Sequence, residues 1–327
     1  DVPTTERVFN SLKLIGKYVW LVLWPQDLSI DYSFRAITVS ENWLDPEPLA
    51  GTILVAAMVL LGLVKLRRAP ALGWGLLVFT GCTIFTSNML LPIGTVFAER
   101  LMYLPTLGAA VALAVVADRM LGSARSARLN PVGLLLIVLA LGALGVRTWE
   151  RNKDFKDSLT LFSSAQEVVP RSARVHFQLG NIYARLQLYD RAKQHMETSL
   201  ALDPQFIFAA IRLGEVHMAD RNFEQAQQTF TRILKGIETT GASSPESVAA
   251  VRAMTLRRRA EALKAGGDLD GAQADLEAAM GLSQDDTPRS AKQLARLLHG
   301  QNRFEESIPV IERGLQAVPE DTDLLLP

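Results

Sequence analysis

Long charge-free stretches alternate with short polar loops through the first half of the chain, and amphipathic stretches replace them in the second. No Asp, Glu, Lys or Arg occurs from Leu49 to Val64, Ala69 to Ala98, Leu101 to Ala117 or Leu129 to Val146. A helix crossing a hydrocarbon core of about 30 Å needs roughly 20 apolar residues, so each run predicts a membrane crossing. A further apolar and aromatic segment, Val8–Trp24, is interrupted by Lys13 and Lys17. It predicts either a fifth crossing or a helix lying in the interface, where Tyr18, Trp20 and Trp24 would settle. Glycines, Pro92 and Pro105 inside the runs predict closely packed helices with kinks.

From Arg147 onward the pattern changes to a repeat. Phe155, Tyr189, Phe223, Leu269 and Phe304 are separated by 34, 34, 46 and 35 residues. Ser158, Ala192, Ala226, Ala272 and Ser307 keep those steps, as do Phe162, Met196, Phe230, Leu276 and Ile311. An aromatic, a small residue three later and a bulky one four beyond, at a period of 34, is the tetratricopeptide signature of stacked antiparallel helix pairs. Leu179-Gly180 and Leu213-Gly214 mark the first helix of two units, and Asp203-Pro204, Pro170 and Val318-Pro319 mark ends. The longer step holds Gly236–Ser247, whose Gly, Ser and Thr content predicts a loop. Traced backward, the helix preceding Phe155 is the last apolar run. The expected fold is therefore all-α. A small transmembrane bundle of four crossings plus one interfacial or partly inserted helix is continuous with a solenoid of about four tetratricopeptide-like units. The domains are 1–150 and 151–327. With no linker between them, the solenoid is expected to hold a fixed angle to the membrane.

Overall composition hides this division: the net charge is zero and 49% of residues are hydrophobic. A single cysteine, Cys82, excludes an intrachain disulfide and a multi-cysteine metal site. Lys65, Arg67 and Arg68 follow the first run, and Arg119, Arg125 and Arg128 follow the third. Excess basic charge marks cytoplasmic loops. The loop Gln26–Pro48, the turn Leu91–Glu99 and the repeats then lie outside the cytoplasm, which in a bacterial inner-membrane protein is the periplasm.

Candidate chemistry is sparse. The first helix of each unit lines the concave side of such a solenoid. Register places Arg174, Asn181, Arg185, Glu215, Arg257, Glu261, Lys264, Lys292 and Arg296 there, a mainly basic set suited to an acidic peptide. The competing reading is a solvated face. Glu99 and Arg100 open a crossing and are candidate contacts for lipid phosphate or a partner; otherwise they are a helix-terminal Glu and a snorkelling Arg. Asp27 and Asp31 suit loop geometry better than acid–base chemistry. His176, His195, His217 and His299 show no metal-ligand spacing. No nucleotide-binding, metal or catalytic set is visible, no cofactor is implied, and the dispersed basic residues give no case for nucleic acid.

Three passages resemble a known family: Trp24-Pro25-Gln26-Asp27-Leu28-Ser29-Ile30-Asp31-Tyr32-Ser33, Glu99-Arg100-Leu101-Met102-Tyr103-Leu104-Pro105, and Arg147 to Phe162 with Trp149, Asn152 and Leu161-Phe162. Their order and spacing to the repeats are similar to the C-terminal part of the transmembrane and tetratricopeptide-repeat protein O-mannosyltransferases and their bacterial relatives. The resemblance covers nearly the whole chain. It implies a large multi-spanning domain using a lipid-linked sugar, with essential acidic residues in a first extracytoplasmic loop. This chain is expected to start after that loop, so no catalytic carboxylate carries over.

Two functions follow. One is a membrane-anchored scaffold or accessory subunit of a larger membrane complex, holding partner proteins through the concave face and the membrane helices and contacting lipid. The alternative is the acceptor-presenting, C-terminal part of a polyprenyl-sugar-dependent protein glycosyltransferase.

Overall fold

The computed structural model describes residues 4–32, 40, 42–90, 97–122, 130–239, 244–283 and 285–318. Pro92, Arg125, Arg128 and Pro319 lie outside these residues, as does most of the turn from Leu91. All regular structure among the described residues is helical. The chain forms two compact units, 1–178 and 179–327.

In the first unit, helix α1 (Thr4–Leu23) packs on α2 (Pro46–Arg68), α2 on α3 (Pro70–Thr86), and α3 on α4 (Tyr103–Met120), which follows a 3-10 turn at Glu99–Met102. Helix α1 buries Phe9, Leu12, Leu14, Ile15, Tyr18 and Leu21, while Trp20 and Leu23 stay exposed, as does Trp24 just after it. Two apolar surfaces on one helix explain why its sequence reads ambiguously. Among the described residues, three helical segments are long and apolar enough to cross a membrane: Pro46–Arg68, Glu99–Met120 and Pro131–Asp154. Helix α3 has 17 residues, about 25 Å at 1.5 Å per residue. The hydroxyls of Thr83, Thr86 and Ser87 bond back to carbonyls at its end, and Asn88 then adopts φ 63°. Pro105 sits in the first turn of α4 and not mid-helix, where its missing N–H costs no intrahelical bond, so no proline kink forms there.

Helix α5 (Pro131–Asp154) carries the last apolar run straight into charged sequence, and α6 (Ser158–Val168) follows Phe155. The predicted half-unit is thus present in sequence but is not packed like the others. Ser158 and Phe155 are exposed, and Val146, one period before Gly180, is 61% exposed. Phe155 instead takes the Arg151 guanidinium over its ring at 5.3 Å.

The remaining helices are α7 (Ala173–Arg185), α8 (Tyr189–Leu202), α9 (Ile207–Ala219), α10 (Phe223–Thr239), α11 (Pro245–Ala265), α12 (Leu269–Met280), α13 (Thr287–Gly300) and α14 (Phe304–Ala317). Four of the five register residues, Tyr189, Phe223, Leu269 and Phe304, are each the first residue of a second helix. The small positions Ala192, Ala226, Ala272 and Ser307 are all buried. Facing positions are matched in size. Gly180 abuts Met196, Gly214 abuts Phe230, and Ala260 shares a core cluster with Leu276. The long step is not mainly a loop, contrary to the expectation for Gly236–Ser247. Ile237, Val248 and Val251 belong to the apolar cluster around Phe230, which draws both ends of the insertion into longer helices. Pro245 at the first turn and Ser244, whose hydroxyl accepts from Ser247 N at 3.3 Å, start α11. Only 240–243 of the insertion fall outside the described residues.

Candidate functional site

Two polar constellations stand out, one in each unit. The first surrounds the loop from Trp24 to Tyr32, which leaves α1. Its anchor is Glu99 at the 3-10 turn. One carboxylate oxygen accepts from Ser29 N at 2.8 Å and from the Tyr32 hydroxyl at 2.7 Å. Burial and this bond to a carboxylate both push the Tyr32 phenol upward, so it stays protonated and remains a donor. Beneath it, Phe97 stacks on Tyr18 at 4.2 Å and meets Tyr32 edge-on at 4.7 Å, while the Lys17 ammonium lies 4.8 Å from the Tyr32 ring. The Tyr18 hydroxyl donates to the Ala98 carbonyl at 3.3 Å.

Two arginines close the loop from the other side. Arg147 Nε on α5 donates to the Pro25 carbonyl at 3.0 Å, and its Nη2 donates to that of Gln26. Arg174 Nε on α7 lies 3.1 Å from the Asp31 carboxylate. One loop therefore joins the ends of α1, α4 and α5 and the start of α7. Glu99, expected as a lipid or partner contact, is spent inside this clamp; Arg100 beside it is exposed. The clamp holds acceptors and donors matched to each other, which fixes the loop in place.

The second constellation runs along the first helices of the repeats. Arg212 Nε donates to Asn181 Oδ1 at 2.8 Å and pairs with Glu215 at 2.5 Å. Arg258 bridges Glu215 at 2.9 Å and Glu261 at 3.1 Å. Gln293 Nε2 donates to Glu261 at 2.6 Å. Asn181, Glu215 and Glu261 were expected on this face. Arg212, Arg258 and Gln293 were not, although they keep the same 46 and 35 steps. Lys264, Arg296 and Arg185 are exposed near the ends of their helices. Arg257 is not on the face. Its side chain is 12% exposed and paired with the buried Asp286 at 3.3 Å. Its column includes Ile211, 4% exposed, and Lys292, half-buried. Arg257 and Ile211 of that column are turned inward, while Lys292 is half-buried like Glu215 and Glu261.

The histidines pack. His176 is buried with Nε2 3.0 Å from the Pro170 carbonyl, and His195 stacks on Tyr183. His299 Nε2 lies 2.8 Å from Ser307 Oγ.

Tetratricopeptide repeat models match residues 173–206 and 257–322. Protein O-mannosyl-transferase TMTC3 of Homo sapiens is 24% identical over 232 residues, 70% of this chain and 25% of that protein. Protein O-mannosyl-transferase TMTC1 of Mus musculus is 28% identical over 208 residues, 62% of this chain and 22% of that protein. The chain is a homologue of these proteins. It spans about a quarter of the length of the relatives it matches. Among solved structures, the MamA fragment of Desulfovibrio magneticus RS-1 is 14% identical with a TM-score of 0.41, covering 55% of this chain and 93% of that one. The 232 aligned residues exceed the 177 available from 151 to 327 (327 − 150), so the similarity to the mannosyl-transferases reaches past the repeats into residues 1–150.

Proposed function

We propose that this chain is the membrane-linked, repeat-bearing part of a protein glycosyltransferase that draws sugar from a polyprenyl carrier, its solenoid presenting the polypeptide acceptor. The observation that carries this reading is the similarity to protein O-mannosyl-transferases extending beyond the repeats. The loop clamp supports it, because it ties membrane-side helix ends to the start of the first complete repeat. In this reading 1–150 is the membrane domain, bathed in lipid around α2, α4 and α5, and 151–327 is the solenoid. Lys65, Arg67 and Arg68 at the end of α2 and Arg119 at the end of α4 face the cytoplasm, and the clamp and repeats lie on the other side.

A scaffold or accessory subunit without its own chemistry is the second reading. It is favoured by one observation: Glu99 and Asp31, the carboxylates of the clamp, are both engaged in structural contacts. Reconstituting the intact membrane protein with polyprenyl-phosphate mannose and polypeptide acceptors separates the two. Glycosyltransferase function predicts sugar transfer that falls about tenfold or more when Arg147→Ala loosens the clamp. No transfer to any acceptor, together with co-purification in fixed ratio with other membrane subunits, would establish the scaffold instead.

A further inference from the structure

Helix α1 meets the rest of its unit at one level. Phe9 packs against the Trp43 ring at 5.6 Å, Asn10 Oδ1 accepts from Ser40 N at 2.8 Å, Lys13 pairs with Glu47, and the Leu12 backbone abuts Gly51. Further along, Tyr18 stacks on Phe97 and bonds to Ala98. The first partners lie just before α2 or in its first two turns, and the last lie just before α4. Helices α2 and α3 are antiparallel, with Gly62 against Leu77 and Gly73 against Leu66. So are α3 and α4, with Gly75 against Ala112 and Gly108 against Phe79. The starts of α2 and α4 therefore share one end of the bundle. From Phe9 to Tyr18, about 13 Å at 1.5 Å per residue, α1 passes from one start to the other. It runs across that end and not down the bundle beside α2.

The large aromatic side chains exposed at this end form a belt. Trp20 and Trp24 at the close of α1, Trp43 before α2, Tyr103 at the start of α4 and Trp149 near the end of α5 are all exposed. Arg147, two residues before Trp149, bonds to the loop after α1, which brings the end of α5 to the same level. Four of the five tryptophans of the chain are thus gathered here, and the fifth, Trp74, stands near the start of α3 at the opposite end. Rings with an apolar body and one polar atom settle where acyl chains meet headgroups. Below the belt, Leu49, Leu107 and Leu144 face outward on the three apolar segments. Along α4, Tyr103 and the basic Arg119 are 16 residues apart (119 − 103), about 24 Å, which approaches the hydrocarbon thickness of about 30 Å. Arg100, exposed one turn before Tyr103, offers a guanidinium to lipid phosphate.

We propose that α1 lies in the membrane interface without crossing, and that the belt seats this end of the bundle, the Glu99 clamp included, among phospholipid headgroups. This rests on the reading of α2, α4 and α5 as crossings and names what covers the exposed end.

The test uses the full chain carrying Cys82→Ala, in right-side-out and inside-out membrane vesicles from the same expressing cells. Glu6→Cys, Gln26→Cys and Arg68→Cys are labelled one at a time with a membrane-impermeant maleimide. The two ends of α1 should label in the same vesicle type, and Arg68→Cys in the other. Labelling of Glu6→Cys in the same vesicles as Arg68→Cys, or in neither, would overturn the proposal. Purified single-tryptophan variants, with the other four changed to Phe, are then placed in phosphatidylcholine vesicles brominated either near the headgroup or near the chain ends. Trp20, Trp24, Trp43 and Trp149 should each be quenched about twofold or more strongly by the shallow bromines than by the deep ones. Stronger quenching by the deep bromines would put these rings in the core, and no quenching by either would put them against protein or water; both results remove the belt. Neither readout involves a sugar donor, so an inactive protein would leave the proposal standing, and a crossing α1 in an active one would remove the proposal alone.

Discussion

A methyl group added at Gly108 would overlap the backbone of Phe79 on the neighbouring helix, whereas one added at Gly214 would meet the ring of Phe230 at 2.5 Å. The same contrast recurs. Gly51 lies against the Leu12 carbonyl, and a methyl group added at Gly180 would meet the end of the Met196 side chain at 2.8 Å. Among α1 to α4, Gly51, Gly73, Gly75 and Gly108 bring backbone to backbone, with Gly62 against the Leu77 side chain; in the repeats Gly180 and Gly214 each make room for one large side chain. Exposed surface follows suit. Leu60, Leu63, Leu135 and Leu139 face outward in α2 and α5, while in the repeats Phe230, Leu276 and Leu294 are buried. In the membrane setting proposed above, lipid supplies no hydrophobic drive between helices, and close backbone approach provides the packing. Water does supply it, so the repeats bury bulk.

The comparison predicts unequal costs. Gly108→Ala should be the most damaging, because α3 and α4 must separate along their length. Thermal unfolding in detergent should show a loss of about 3 kcal/mol, and an unchanged melting temperature would mean the bundle is not held by backbone contact. Arg259→Leu should cost nearly as much, about 3 kcal/mol, by leaving Asp275 buried without its two bonds of 2.6 and 2.7 Å. Gly214→Ala should cost about 2 kcal/mol, since the Phe230 ring is rigid and fully buried. Gly180→Ala should cost less, because the Met196 terminus can swing aside. Equal losses at the two positions would show that backbone, not side-chain shape, sets the spacing.

The repeats were legible because their register is carried by side chains that pack. Tyr189, Phe223, Leu269 and Phe304 begin helices, and Ala192, Ala226 and Ala272 are sealed at crossings. At Phe155 the same letters persist without the packing, since α5 continues the apolar run and Val146 faces outward. Arg257 is misplaced by the register because helical spacing alone does not say which column is covered by the next repeat; Ile211, in the same column, carries that signal. Arg212, Arg258 and Gln293 were missed because their contacts reach about one repeat away and stand out only when columns three residues apart are compared. The clamp at Glu99 joins residues 70 apart, and nothing local in Glu99-Arg100 reveals that the carboxylate is occupied from within.

A pH experiment tests the repeats alone. His217 is 6% exposed, and burial first, then the nearby Lys193 ammonium, hold its ring below the usual 6.5. Glu197 and Asp220 oppose the shift without reversing it. The unfolded chain therefore takes up the proton first. The stabilisation is complete above about 6.5 and is lost as pH falls toward the folded value. Melting of the parent should decline over that window, and His217→Gln should flatten the decline. An identical decline in the variant would assign it to the carboxylates.

The smallest effect lies in the turns, and there the repeats can be improved. Gln187, Arg221, Gly267 and Asn302 have φ of 60°, 59°, 91° and 59°, each two residues before the start of a second helix. Each is followed by a residue whose N–H reaches five positions back: Leu188 to Tyr183, Asn222 to His217, Asp268 to Leu263, and Arg303 to Leu298. This is the Schellman closure, which favours glycine at the left-handed position. Only Gly267 meets that preference. A side chain there costs about 1–2 kcal/mol, partly offset in the variant by the greater freedom of glycine in the unfolded chain. Gln187→Gly and Arg221→Gly should each stabilise by about 0.5–1 kcal/mol, and Asn302→Gly by less, because asparagine tolerates this region. Denaturant midpoints measure the gain. A loss at Arg221 would show that its side chain contributes more than the strained backbone costs, and the four turns would then be alike in geometry but not in what holds them.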